Sequence, residues 1–186
     1  RASRVPHCLN TLHKRRKSAK VKKSYLGIDR IFGMLFKAYS FSILVDLFGK
    51  VPYTEANQLV EGIKYPVYDD GAAIYPQLIT LIDEAIADLE NTSAANLAVP
   101  GADDIIYKGS VENWVKAATS LKFKLLVQQR KVKDVKAEVT ALLNSGNLIS
   151  KTSESFVITY GPNGATDDRN PGFGEYYASQ RTMHVS

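Results

Sequence analysis

The side chains able to break bonds are few and scattered. The three histidines are His7, His13 and His184, and none has an acid at a spacing that would make a proton relay. There is no His-x-x-x-His pair, no cluster around the single Cys8, and no glycine-rich phosphate loop. Asp83-Glu84 is a pair of neighbours on a helical stretch, not two carboxylates set apart as acid and base. Asp167-Asp168-Arg169-Asn170 offers oxygen ligands but lacks the Gly and Glu spacing of a calcium loop. The expectation is therefore a non-catalytic protein without a metal or other cofactor. The more suggestive feature is a set of tyrosines in stretches without helical periodicity: Tyr65, Tyr68, Tyr107, Tyr160, Tyr176 and Tyr177. An aromatic face suits the C–H groups of a sugar, and amides or carboxylates suit its hydroxyls. A loop tyrosine equally serves to pin its loop to a helix layer. Asn170, Phe173, Tyr176 and Tyr177, gathered in one turn-rich stretch, are the favoured ligand contacts.

The elements that must carry these residues read as helices. From about Ser24 to Phe48, residues Ile28, Ile31, Leu35, Ala38, Tyr39 and Ser42 recur at steps of three and four. The opposite side is also apolar (Phe32, Phe36, Phe41, Ile43), which predicts a helix buried between neighbours. Gly49 stands where a helix end favours a left-handed residue, and Pro52 follows where a helix cannot continue. Tyr53 to Ala56 reads as a short helical turn. Asp69 or Asp70 should cap a helix from about Ala72 to Asn91, with Ile74, Leu78, Leu81, Ile82, Ala85 and Leu89 inward. Ile105-Ile106-Tyr107 reads as a short extended piece. Ser110-x-x-Asn113 is a partial capping box opening a helix to about Val132. Its inward residues are Trp114, Ala117 or Ala118, Leu121, Leu125 and Gln128, with Lys116, Lys122 and Lys124 facing solvent. A last helix runs from Asp134 to Ser145 with Val135, Val139, Leu142 and Leu143 inward, ended by Gly146. Phe156 to Tyr160 looks β-like, and Glu175 to Met183 looks like the start of another helix. About four helices joined by long loops make a helix-dominated, all-α class, and long loops of this kind tend to carry ligand or partner surfaces.

The charge is divided. Nine of the 24 Lys and Arg fall in residues 1–23, which hold no acid; the other 15 stand against 19 acidic residues, so the rest of the chain is net −4. Residues 1–23 read as a disordered, solvated arm, and residues 24–186 as a helical domain. The arm lacks the interleaved aromatics that stack bases, so nucleic acid is not the expected partner. One cysteine excludes an intrachain disulfide. No apolar run is expected to reach the ~20 residues that cross a bilayer, and no apolar stretch follows the basic start as in a secretion signal. Residue 1 is Arg, and the last pattern is cut off, so the chain is expected to be a fragment of a larger domain.

Four segments resemble the SusD/RagB family, the SusD-like nutrient-binding lipoproteins of the Bacteroidetes outer membrane. Ala38 to Ala56, ending Asp46-Leu-Phe-Gly-Lys-Val-Pro-Tyr-Thr-Glu-Ala56, is similar to the family's Asp-x-Tyr/Phe-Gly-x-Ile/Val-Pro-Tyr-x-Glu-Ala stretch. Pro66-Val-Tyr-Asp-Asp-Gly71 with Ile74-Tyr75 and Leu81-Ile-Asp-Glu-Ala85 resembles its Pro-x-Tyr-Asp element and following helix. Asp104-Ile-Ile-Tyr-Lys-Gly109 with Trp114 to Leu126 resembles Asp-x-x-Tyr-x-Gly and Trp-x-Lys-x-Ala-Asn-Ser-Leu-Lys-Leu-Arg. Asp168-Arg-Asn-Pro-Gly-Phe173 is similar to the Asn-Pro-Trp-Phe/Tyr loop. The sequence departs at Thr119, where the family has Asn, at Lys124, where it often has Arg, and at Gly172, where it has Trp.

The resemblance implies stacked helix pairs of tetratricopeptide type, although the sequence itself shows no 34-residue repeat. It implies a non-catalytic glycan- or nutrient-binding protein that serves a TonB-dependent transporter. It also implies a surface lipoprotein of the outer membrane, whose secretion signal and lipid anchor are not in this chain. The alternative is a helical-repeat protein-interaction module without glycan binding.

Overall fold

The computed structural model describes residues 28–91, 101–161 and 169–173. The basic arm, Tyr176, Tyr177, the turn after Gly161 and the helix expected from Glu175 lie outside them. The described helices are α1 (Ile28–Phe48), α2 (Gly71–Glu90), α3 (Val111–Gln128), α4 (Lys136–Asn144) and a single turn, α5 (Pro171–Phe173). Two residue pairs, β1 (Lys50–Val51) and β2 (Asp69–Asp70), form an antiparallel ladder with Lys50 opposite Asp70 and Val51 opposite Asp69. This ladder closes the 52–68 loop and was not visible in the sequence.

α2 lies between α1 and α3, and α4 packs on α3. The core is the meeting of three apolar stripes. α1 contributes Ile31, Met34, Leu35, Ala38 and Val45; α2 contributes Ile74, Leu78, Ile82, Ala85 and Leu89; α3 contributes Trp114, Ala118 and Leu125. α1 ends as expected: Gly49 takes φ +73, and its N–H donates to the Val45 carbonyl at 2.8 Å. Asp70 is the α2 cap, accepting from the Ala72 N–H at 3.1 Å. At Gly71 the start of α2 presses on the end of α1. A Cβ there would stand 2.6 Å from Val45 Cγ1 and 2.9 Å from the Gly49 carbonyl oxygen. Only glycine permits that approach.

Other expectations need correction. Tyr39 is 47% exposed, because it lies about 80° round α1 from Ile31 at 100° per residue; Met34 and Val45 hold the face instead. Phe36, Leu44, Leu47 and Phe48 are exposed too, so α1 is buried on one side rather than all round. Arg30–Phe48, with mean hydropathy 1.6, is long and apolar enough to cross a membrane, against the expectation of no such run; here it is the helix on which α2 packs. Tyr53 to Ala56 is a bend and turn, not helix, and the helical turn is a 3-10 segment at Leu59–Glu61. α3 stops at Gln128 and tightens into a 3-10 turn at Gln129–Lys131. Ala118, rather than Ala117, is its fully buried alanine. Gln128 faces outward, yet its amide donates to Asp46 at 2.6 Å. α4 starts at Lys136, after the Asp134 carboxylate has taken the Lys136 N–H at 3.0 Å, and Leu143 is 56% exposed. Residues 156–160 form no strand among the described residues, and their apolar side chains stay half exposed.

Candidate functional site

The expected extended piece at 105–107 is a tight loop wound round one buried carboxylate. Asp104 Oδ1 accepts from the N–H groups of Ile106 and Tyr107 at 3.0 and 3.1 Å, and Oδ2 from Gly109 N–H at 2.9 Å. Oδ2 also takes the Trp114 indole N–H at 2.8 Å. Burial pushes the Asp104 carboxyl up, but the indole and these three amides overcome it and hold it below its ordinary value. Trp114, 2% exposed, stacks on Phe32 at 4.0 Å and meets Tyr107 and Phe156 edge-on at 5.3 and 5.8 Å. The Tyr107 hydroxyl donates to the Glu154 carbonyl at 2.8 Å, fixing the 150–156 stretch over α3. Glu154 is itself held by Lys116 Nζ at 2.8 Å and the Ser150 N–H at 2.9 Å, and these lower its carboxyl to about 2. Lys116 also reaches Glu112 at 2.7 Å, and Lys122 reaches Asp83 at 2.5 Å. Both lysine side chains are thus largely covered and paired, contrary to the expected solvent face; Lys124 is exposed, over the Tyr39 ring at 5.4 Å.

Beside Trp114 lies a groove of about 310 Å³, walled by Phe36 and Tyr39 of α1, Leu121 of α3 and Phe156. Apart from Lys124, Ser120 and the Tyr39 hydroxyl its lining is apolar. The Ser120 hydroxyl oxygen already accepts from Ile149 N–H at 3.0 Å. Such a surface offers a sugar few hydroxyl partners and suits an apolar side chain better.

The 52–70 loop is pinned by acids as well, but outward. Asp69 Oδ2 accepts from the N–H groups of Tyr53 and Thr54 at 2.9 and 2.7 Å and from the Thr54 hydroxyl at 2.9 Å. The Thr54 and Tyr53 amides hold its carboxyl below the usual range. Glu55 Oε2 takes the Val67 N–H at 2.8 Å. Tyr53 turns in, edge-on to Phe41 at 4.9 Å and under Lys37 Nζ at 4.6 Å. Tyr65 and Tyr68 turn out, 91% and 66% exposed. With the end of α1 this loop borders an open trough of about 730 Å³.

Of the four favoured ligand contacts, the structure describes two. Asn170 and Phe173 are exposed; the Asn170 side-chain oxygen accepts from Gly172 N–H at 2.8 Å, and the Arg169 guanidinium lies 5.3 Å from the Phe173 ring centre. Among the described residues no group of three or more His, Cys, Asp or Glu could hold a metal ion.

A SusD-like family model, described as starch-binding associating with outer membrane, matches residues 7–179. The chain belongs to the SusD-like family. Solved structures agree. A SusD homolog from Parabacteroides distasonis ATCC 8503 superposes with a TM-score of 0.68 at 24% identity, covering 89% of this chain and 32% of that one. One from Bacteroides uniformis ATCC 8492 gives 0.63 at 28% identity, covering 80% and 30%. A Bacteroides vulgatus ATCC 8482 outer membrane protein, whose nutrient-binding role is itself an inference, gives 0.66 at 25%, covering 78% and 32%. The chain spans about a third of the length of these structures. No curated protein matches it.

Within this SusD-like chain, the family-like residues are largely joints of the scaffold. Asp104, Tyr107, Gly109 and Trp114 form one buried knot. Asp69, Thr54 and Glu55 form the loop frame. Tyr75 donates to Asp46, tying α2 to α1, and burial together with that carboxylate raises its hydroxyl. Sequence reasoning missed Asp104, Asp69 and Glu154 as organising carboxylates. The signal for Asp104 was an aspartate a few residues ahead of a glycine and a capped helix, a spacing that favours side-chain-to-backbone turns.

Proposed function

We propose that this chain is part of a surface-exposed outer-membrane lipoprotein that binds a neutral glycan without chemistry and passes it to a TonB-dependent transporter. Membership of the SusD-like family supports capture of a nutrient at the outer membrane. The observation that carries the sugar reading is the 52–70 loop. Carboxylate-to-backbone bonds fix its frame, while Tyr65 and Tyr68 stand in solvent as rings ready to meet a sugar face. Asn170, Phe173, Tyr176 and Tyr177 are proposed as further contacts. Outside the basic arm the chain is net −4, so a polyanion gains nothing from it and a neutral sugar loses nothing. Calorimetric titration with neutral oligosaccharides and with single-stranded DNA, at low and high salt, tests this. Glycan binding should hardly change with salt and should survive EDTA. Tight DNA binding by protein lacking residues 1–23, with no glycan bound, rejects the reading. The apolar groove beside Trp114 favours a second reading, a helical module that takes an apolar side chain of a protein partner; glycan binding that persists when Tyr39 is replaced by Ala separates the two.

A further inference from the structure

The stretch from Ile149 to Phe156 crosses α3 as a strap, and side chains alone tie it down. The Ser120 hydroxyl oxygen accepts from Ile149 N–H at 3.0 Å, the Tyr107 hydroxyl donates to the Glu154 carbonyl at 2.8 Å, and Lys116 Nζ reaches Glu154 Oε1 at 2.8 Å. Within the strap only the single 3-10 turn at Thr152–Glu154 is regular. Among the described residues no backbone-to-backbone hydrogen bond joins the strap to a helix. We infer that residues 149–156 are a latch: they open over Trp114 as one unit while the helix layer stays folded, and the Lys116–Glu154 pair is the clasp. The ties run between residues 107 and 154, and none of them uses an exposed apolar ring.

Glu154 makes the opening all-or-none. Its Oε1 is on Lys116, while its Oε2 accepts from the N–H groups of Ser150 and Lys151 at 2.9 and 3.2 Å. One carboxylate therefore both winds the strap and fastens it. Glu154 is 7% exposed, so without its lysine it is a stranded charge in the closed strap and a hydrated one in the open strap. Lys116 is not stranded by opening. Its Nζ also lies 2.7 Å from Glu112, one turn back along α3, which keeps a counter-charge beside it in either state. The apolar hold on the strap is partial: Phe156 meets Trp114, Tyr107 and Phe36 edge-on at 5.8, 6.1 and 6.0 Å yet remains 45% exposed. Helices α1, α2 and α3 share a buried core, so the strap is bound less firmly than the layer beneath it. Opening takes Ile149 and Phe156 out of one wall of the groove beside Trp114 and uncovers an edge of the indole. It also slackens the tether of the chain that follows, which carries Asn170 and Phe173.

Native-state hydrogen exchange on the 186-residue chain, in urea below the unfolding transition, tests the latch. Five amides report on it, those of Ile149, Ser150, Lys151, Glu154 and Ser155, each bonded within the strap or to Ser120. They should exchange at least ~10-fold faster than the Ile82 and Leu125 amides, and with little dependence on urea, because a local opening exposes little surface. Equal rates with an equal urea dependence would mean that strap and layer open only together, and would overturn the latch. Lys116→Met removes the clasp and keeps the stem; Glu112→Gln removes only the lysine's other partner. Lys116→Met should speed all five strap amides about 10- to 100-fold, leave Ile82 and Leu125 within about 2-fold, and raise acrylamide quenching of Trp114 fluorescence. Glu154→Gln, whose amide oxygen still serves Ser150 and Lys151, should act in the same direction, and it stands in should Lys116→Met fail to fold. Glu112→Gln should leave the strap amides within about 2-fold of the parent. Strap exchange unchanged by both clasp variants, or raised as much by Glu112→Gln, would show that Lys116–Glu154 is not the clasp.

Discussion

The 101–110 loop and the 52–70 loop are each wound round one aspartate, and they face opposite ways. Asp104 gathers three amides and an indole, is 7% exposed, and draws Tyr107 and Trp114 into the core. Asp69 gathers two amides and a hydroxyl near the surface and leaves Tyr65 and Tyr68 outside. A carboxylate that accepts backbone N–H groups folds a loop without needing a hydrophobic centre. What then differs is where the aromatics go. Turned inward they stabilise the helix layer; turned outward they make no buried contact with the described helices. The same local chemistry therefore draws rings into the core in one place and leaves them in solvent in the other.

The contrast breaks most easily at the inner loop. Trp114→Ala should cost about 3–5 kcal/mol, as for other large-to-small core changes, measured by urea unfolding. An unchanged midpoint with lost glycan binding would make Trp114 a platform instead. Asp104→Ala should cost about 2–3 kcal/mol, because it strands the buried indole N–H and neighbouring amides; a loss near zero would mean that the loop folds without its carboxylate. Acid should reach both loops. Asp104, Asp69 and Glu154 all have folded-state carboxyls below their ordinary values, Glu154 at about 2. Their contribution is present above the unfolded carboxyl range, near pH 4.5, and is lost as pH falls from there towards 2. Melting midpoints should fall across that window, chiefly through Asp104 and Glu154, and a flat profile would remove these two carboxylates from the account of stability. The smallest effect on the fold belongs to Asp69→Ala. It should leave the global midpoint close to the parent's but speed amide exchange at Tyr53, Thr54 and Val67; unfolding of the whole chain by this change would erase the distinction between the inner and the outer loop.

The helices were legible because periodicity is a long-range average. Ile74, Leu78, Ile82, Ala85 and Leu89 repeat over about four turns, so one misplaced residue changes little. The loops were not legible for the opposite reason. One carboxylate decides each, and a single Asp leaves no pattern beyond its own letter. Ile105-Ile106-Tyr107 has the composition of a strand, yet Asp104 closes it into a turn. Phe156-Val-Ile-Thr-Tyr160 reads as a strand too, but a strand needs a partner, and the sequence alone cannot supply one. Lys116 sits on the polar side of α3, and its cover comes from Glu154, 38 residues further on. Of the favoured ligand contacts, Asn170 and Phe173 are exposed, and Tyr176 and Tyr177 lie outside the described residues; the trough has no sequence pattern because its sides come from segments about 20 residues apart in the chain.

Trp114 is the only tryptophan, and its indole N–H ends on Asp104 among three other rings. Excitation near the red edge of protein absorbance therefore interrogates one residue at the centre of the helix layer, with no label and no engineered probe. Its emission should be blue-shifted in the folded chain and move towards that of an indole in water on unfolding. The molecule thus carries an optical gauge of its own packing, read from one residue in one cuvette.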